Sequence, residues 1–148
     1  MALKTSTGLR NAMLVDGSLA GALDLGRVEI YAGTVPATAD EAIPAGATML
    51  CTITNNSTGT GLTMDTVASA GSVSKAPAEV WSGVNVATGT ATFYRHVGSA
   101  DDGTLSTTQP RLQGTVGTVG AELNLSSTSL TNGATQTIDY YSVALPTL

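Results

Sequence analysis

His96 and Cys51 are the only histidine and the only cysteine of the chain, so histidine or thiol chemistry would have to run through these two positions. A nucleophilic triad needs an imidazole hydrogen-bonded to a serine or thiol and oriented by a carboxylate. No Gly-x-Ser-x-Gly elbow surrounds any serine. His96 stands between Arg95 and Val97 in a strand-like run, where a half-exposed histidine is an ordinary strand residue. Zinc needs several nitrogen, sulfur or carboxylate ligands, and one histidine with one cysteine does not supply them. Cys51 reads as a small buried apolar residue, and a lone cysteine forms no intrachain disulfide.

Paired carboxylates could still hydrolyse a glycoside. The adjacent pairs Asp40-Glu41 and Asp101-Asp102 lie among Ala, Gly, Ser and Thr with no flanking aromatic platform for a sugar. They read as solvated loop charges, and Asp40-Glu41 is not expected to hold a metal. Trp81, Tyr31, Tyr94, Tyr140 and Tyr141 are few for a carbohydrate cleft, and Trp81 is expected as a core or rim anchor. Nucleotide phosphates would call for Gly-x-x-x-x-Gly-Lys-Ser/Thr, which is missing, and the Gly114, Gly117 and Gly120 spacing is followed by no helix. The expectation is a non-enzymatic protein with no catalytic residue, no cofactor and no metal ligand.

Charge narrows the partners further. Only 11% of residues are charged, against about 25% in an average domain. Thr, Ser, Asn, Gln and Gly must therefore cover the surface, as in many extracellular and assembly-forming proteins. The net charge is −5, and the 6 basic residues (Lys4, Arg10, Arg27, Lys75, Arg95, Arg111) are scattered. Nucleic acid, which selects clustered basic side chains, is not an expected partner. Neither is a membrane, because no run of about 18 apolar residues exists. Asn11, Asp16, Gly17 and Ser18 break the apolar N-terminal run, so no signal peptide is expected and synthesis is placed in the cytoplasm.

The elements that must carry these residues are short. A chain of 148 residues with 42% hydrophobic content supports one domain with a real core. Residues 5–25 are the one helical region: Leu9, Met13 and Leu14 fall at helical spacing, and Thr5, Ser6 or Thr7 can cap its start. Asp16-Gly17-Ser18 divides it, with a second piece around Leu19 to Leu23. This segment is read either as a lid on the β core or as an arm docking on a neighbouring subunit. In the arm reading Leu9, Arg10, Met13 and Leu14 are the candidate partner-binding residues.

Strands are expected over Arg27–Gly33, Thr48–Thr54, Val80–Val86, Thr90–Val97 and Arg111–Val116. The last third, from Gln113 to Leu145, reads as strand, turn, strand, turn, strand. Asn132-Gly133 is its sharpest reversal signal, favouring positive φ at both positions. Thr135–Leu145 follows as one alternating strand, Ile138 and Tyr140 sharing a face. The expected architecture is all-β, an antiparallel, jelly-roll-like β-sandwich at 27–148, preceded by a helical arm or lid at 1–26.

Several stretches together carry a resemblance: Thr5-Ser-Thr-Gly-Leu-Arg-Asn-Ala-Met-Leu, Gly17-Ser-Leu, and Ile30-Tyr-Ala-Gly-Thr-Val-Pro-Ala-Thr-Ala-Asp. Ala78-Glu-Val-Trp-Ser-Gly, Thr88-Gly-Thr-Ala-Thr-Phe-Tyr-Arg, Gln113-Gly-Thr-Val-Gly and Leu123-Asn-Leu-Ser-Ser extend it in order along nearly the whole chain. The chain resembles a family of small structural proteins of tailed bacteriophages. That resemblance implies a place in the virion and transfers no catalytic residue. A capsid decoration or cement subunit, binding the major capsid protein and assembling as a homo-oligomer, is the leading expectation. A tail or head–tail component is the alternative, and a carbohydrate-binding receptor module ranks behind both.

Overall fold

The computed structural model describes residues 3–15 and 17–147; Asp16, expected to divide the helical region, lies outside the described residues. In chain order the elements are β1 (Lys4–Thr5), α1 (Thr7–Val15), α2 (Leu19–Ala22), β2 (Arg27–Ala32), β3 (Thr48–Asn55), β4 (Ser72–Ser74), β5 (Trp81–Val84), β6 (Gly89–Thr90), β7 (Phe93–Val97), β8 (Arg111–Gly117), β9 (Leu123–Asn124), β10 (Ser129–Leu130), β11 (Thr135–Ile138) and β12 (Ser142–Ala144). The main sheet runs β1-β8-β7-β2-β3-β5-β11, with β9 parallel to β8. The ribbons β10-β6 and β12-β4 form the smaller sheets. The architecture is an all-β sandwich with a short helical N-terminal piece.

Alternation sorts the central strands into two chemically different faces. One face pairs Val28 with His96 and Ile53, Ile30 with Tyr94 and Cys51, and His96 with Leu112. It meets Trp81, Tyr141, Leu9, Leu19 and Leu23 in the apolar core. Trp81, expected as an anchor, lies 5.0 Å from Tyr141 and 5.7 Å from His96, centroid to centroid. Its indole N–H donates to Glu79 Oε2 at 2.8 Å.

The opposite face is polar yet also covered. Glu29 pairs with Arg95, Arg95 with Gln113, and Val97 with Arg111 across β2, β7 and β8. The loops 33–47 and 98–110 lie over these residues, held largely by side-chain donors reaching backbone carbonyls. Gln113 Nε2 donates to Pro36 O at 2.9 Å, and Arg27 Nη2 donates to Asp101 O at 2.7 Å. Arg111 grips Asp101 through both Nε and Nη2 and also donates to Thr104 O at 2.6 Å. Three of the basic residues that look scattered in sequence thus converge on one face.

Covering both faces overturns two expectations. His96 is buried rather than half-exposed, and Asp101 is buried rather than solvated. In β3 the partners of Ile30 and Tyr31 are Cys51 and Met49, so Leu50 is an extra, bulged residue. With the bulge, Leu50 and Cys51 are both part of the same apolar core, although strict alternation would send them to opposite sides.

The C-terminal third departs further from its expected reading. At Asn132-Gly133 only Gly133 has positive φ, +86°, and Ala134 N–H closes the turn on Thr131 O at 3.1 Å. The flanking strands do not form a hairpin: β10 pairs with β6 and β11 with β5. Nor is 135–145 one strand. It breaks at Asp139-Tyr140, leaving Tyr140 exposed while Tyr141 enters the core. The break lets β12 leave β5 and pair with β4.

Candidate functional site

Helix α1 begins where Ser6 supplies a cap. Its Oγ accepts from the N–H of Leu9 at 3.0 Å and from that of Arg111 at 2.9 Å, serving an orphan helical amide and the β8 backbone together. Asp40 adds a second cap, accepting from Thr7 N–H and Thr7 Oγ1, each at 2.7 Å. Burial opposes ionisation of Asp40, but the two Thr7 hydrogen bonds outweigh it and hold its carboxyl below the ordinary range. One of the four carboxylates read as solvated loop charges therefore fastens the helix to the sheet's covering loop.

The helix is packed closely on one side. A Cβ at Gly8 would fall 2.3 Å from the carbonyl oxygen of Thr108, so glycine is required by contact there. Leu9 is fully buried in the core of its own chain. That corrects its assignment as a partner-binding residue: the side chain is already enclosed by its own sheet. Arg10 is exposed, with Nη2 donating to Thr7 Oγ1 at 3.0 Å. Met13 is partly buried against the core, and Leu14 and Val15 are each 83% exposed.

Arg10, Met13 and Leu14 do come together. They line a groove of about 530 Å³ whose other walls are Leu3 and Thr5 at the edge of the main sheet and Val143 to Pro146. A second hollow of about 450 Å³ adjoins it, sharing Met13, Leu19, Val143 and Leu145 and adding Ala68 and Val73. Leu145 is 54% exposed and Val67 70%. Beside β1 and β12, this end of the molecule presents a largely apolar channel with one cation, Arg10, in its wall. Val143 and Leu145 lacked any sequence signal as site residues, because only the pairing of β12 with β4 carries them next to α1.

No family model, curated protein or solved structure matches the chain.

The lone histidine and the lone cysteine are held elsewhere, inside the core. Burial drives the His96 imidazole down to about 3, so the ring is neutral. Its Nδ1 lies 3.2 Å from Tyr141 Oη, and Nε2 has no partner among the described residues. Burial likewise pushes the Cys51 thiol up to about 11, away from thiolate reactivity. Among the described residues, no three His, Cys, Asp or Glu side chains gather where they could hold a metal ion. No helix there is long and apolar enough to cross a membrane.

Proposed function

We propose that this chain is a non-enzymatic structural subunit of a tailed-bacteriophage particle, a capsid decoration or cement protein. In this reading it binds neighbouring major capsid subunits, and other copies of itself, through the groove beside α1. The observation that carries it is the 83% exposure of Leu14 in the wall of an apolar channel that also takes in Met13, Val143 and Leu145. Contiguous exposed apolar surface marks places where other proteins bind. The sparse charge and the Thr- and Ser-rich surface suit close packing against neighbours in a shell. The resemblance to phage structural proteins supplies the virion context. Many copies, each contributing a modest interface, would stabilise a shell cumulatively.

Two measurements test the reading. Quantitative mass spectrometry of purified particles, scaled to the major capsid protein, should give a copy number in the hundreds. A few to some tens of copies would move the protein to the tail or head–tail region, and absence from the particle would end the virion reading. Leu14→Gln should then weaken attachment to undecorated shells about tenfold or more while leaving the fold intact. Exposed substitutions of this kind usually change stability by less than about 0.5 kcal/mol. Undiminished attachment of the variant would show that the groove is not the contact.

A further inference from the structure

A different hollow lies where the break between β11 and β12 turns Tyr140 outward. It has a volume of about 270 Å³ and takes in Glu122, Asn124, Ser126, Thr137, Asp139 and Tyr140. Tyr140 is 78% exposed, whereas Trp81, Phe93, Tyr31, Tyr94 and Tyr141 are all buried. The one aromatic ring offered to solvent therefore sits at a concave, polar surface. Glu122 is engaged through Oε2 with the Thr115 N–H and hydroxyl, and the Asn124 amide is engaged with Ala121. Ser126 Oγ, Thr137 Oγ1, the Asp139 carboxylate and Tyr140 Oη make no hydrogen bond to the described chain, and all four residues are exposed.

We propose that this hollow binds a neutral oligosaccharide. A pyranose ring has an apolar C–H face that stacks on an aromatic ring and a rim of hydroxyls that donate to carboxylate and hydroxyl oxygens. Tyr140 supplies the ring and Asp139 the strong acceptor, while Ser126 and Thr137 supply short groups that both donate and accept. The carboxylates of Glu122 and Asp139 select against phosphate, sulfate and acidic sugars by like-charge repulsion. A cationic peptide would also satisfy the acids, but it leaves the hydroxyl-rich walls without a complementary partner. The site involves the start of β12, whereas the apolar groove takes in its C-terminal end, so sugar binding goes beyond the assembly role and can be tested apart from it.

The test is a titration of the ¹⁵N-labelled full chain with cellotetraose, maltotetraose and chitotetraose at millimolar concentration, followed by amide shifts. At least one sugar should move resonances confined to residues 122–126 and 137–142. Tyr140→Ala should weaken that binding about tenfold, the size expected for one lost stacking contact, while Tyr140→Phe should retain it. Asp139→Asn should weaken it with the spectrum otherwise unchanged. Silence toward all three sugars, or binding unaffected by Tyr140→Ala, would overturn the proposal. So would shifts raised by tetralysine and by none of the sugars.

Discussion

His96 sits where no proton can be accommodated cheaply. In an unfolded chain its imidazole titrates near 6.5, but in the folded core burial lowers that to about 3. Between these values the unfolded state binds more protons, so this group's contribution is fully present above pH 6.5 and is lost as the pH falls toward 3. The slope approaches about 1.4 kcal/mol per pH unit once the unfolded imidazole is protonated. Thermal midpoints measured from pH 7 down to about 5 should fall for the native chain and fall less for His96→Gln, which cannot take up the proton. Equal slopes would mean that the ring reaches solvent. Acidic groups whose folded pKa is lowered, such as Asp40, destabilise in the same direction but at lower pH.

At the scale of elements, α1 is secured by contact as much as by its caps. Gly8→Ala ought to help an isolated helix by about 1 kcal/mol. Here the added Cβ meets the Thr108 carbonyl, an immovable backbone group, at 2.3 Å. The expected result in a urea titration is a net loss of about 1–3 kcal/mol. A gain would show that the helix can lift from the 98–110 loop without cost. The loops over the polar face depend in the same way on Arg111. Its side chain and that of Asp101 are almost wholly buried, so Arg111→Met leaves an unpaired carboxylate in the interior. That should cost about 3–5 kcal/mol. Adding Asp101→Leu to Arg111→Met should recover part of the loss, because the stranded charge is then removed.

For the whole molecule, the N-terminal segment is not a detachable appendage. β1 pairs with β8 through Lys4 with Gln113 and Thr5 with Leu112, and Leu9, Leu19 and Leu23 belong to the common core. Deleting residues 1–25 should therefore abolish cooperative thermal unfolding, as followed by circular dichroism. A truncated chain that still melted cooperatively would show that residues 26–148 fold alone. This is why the assembly role is best probed by Leu14→Gln: removing the whole segment would confound lost attachment with lost structure. The two faces of the main sheet also make different contributions. The apolar face supplies burial, and the polar face orders long loops through directional bonds to their carbonyls.

Much of this was legible in the chain itself. Alternating apolar residues marked β2, β3, β7 and β8, and helical spacing with a cap at Thr5, Ser6 or Thr7 marked α1, because these patterns depend on neighbours a few residues apart. The same local spacing singled out Arg10, Met13 and Leu14, which the structure brings to one groove. Long-range pairing decided the rest. Leu9 belongs to the same helical pattern as Leu14, and only the position of the sheet determines which is enclosed. The burial of Asp101 required loops to fold over a polar face, and that of His96 required Trp81 and Tyr141 to pack against its ring on the apolar one, neither of which alternation can reveal. The outward turn of Tyr140 depended on β12 leaving β5 for β4, a choice made between strands distant in sequence. Local pattern thus set the elements, while which surfaces were left open, and so which residues can meet a partner, was settled by how those elements packed.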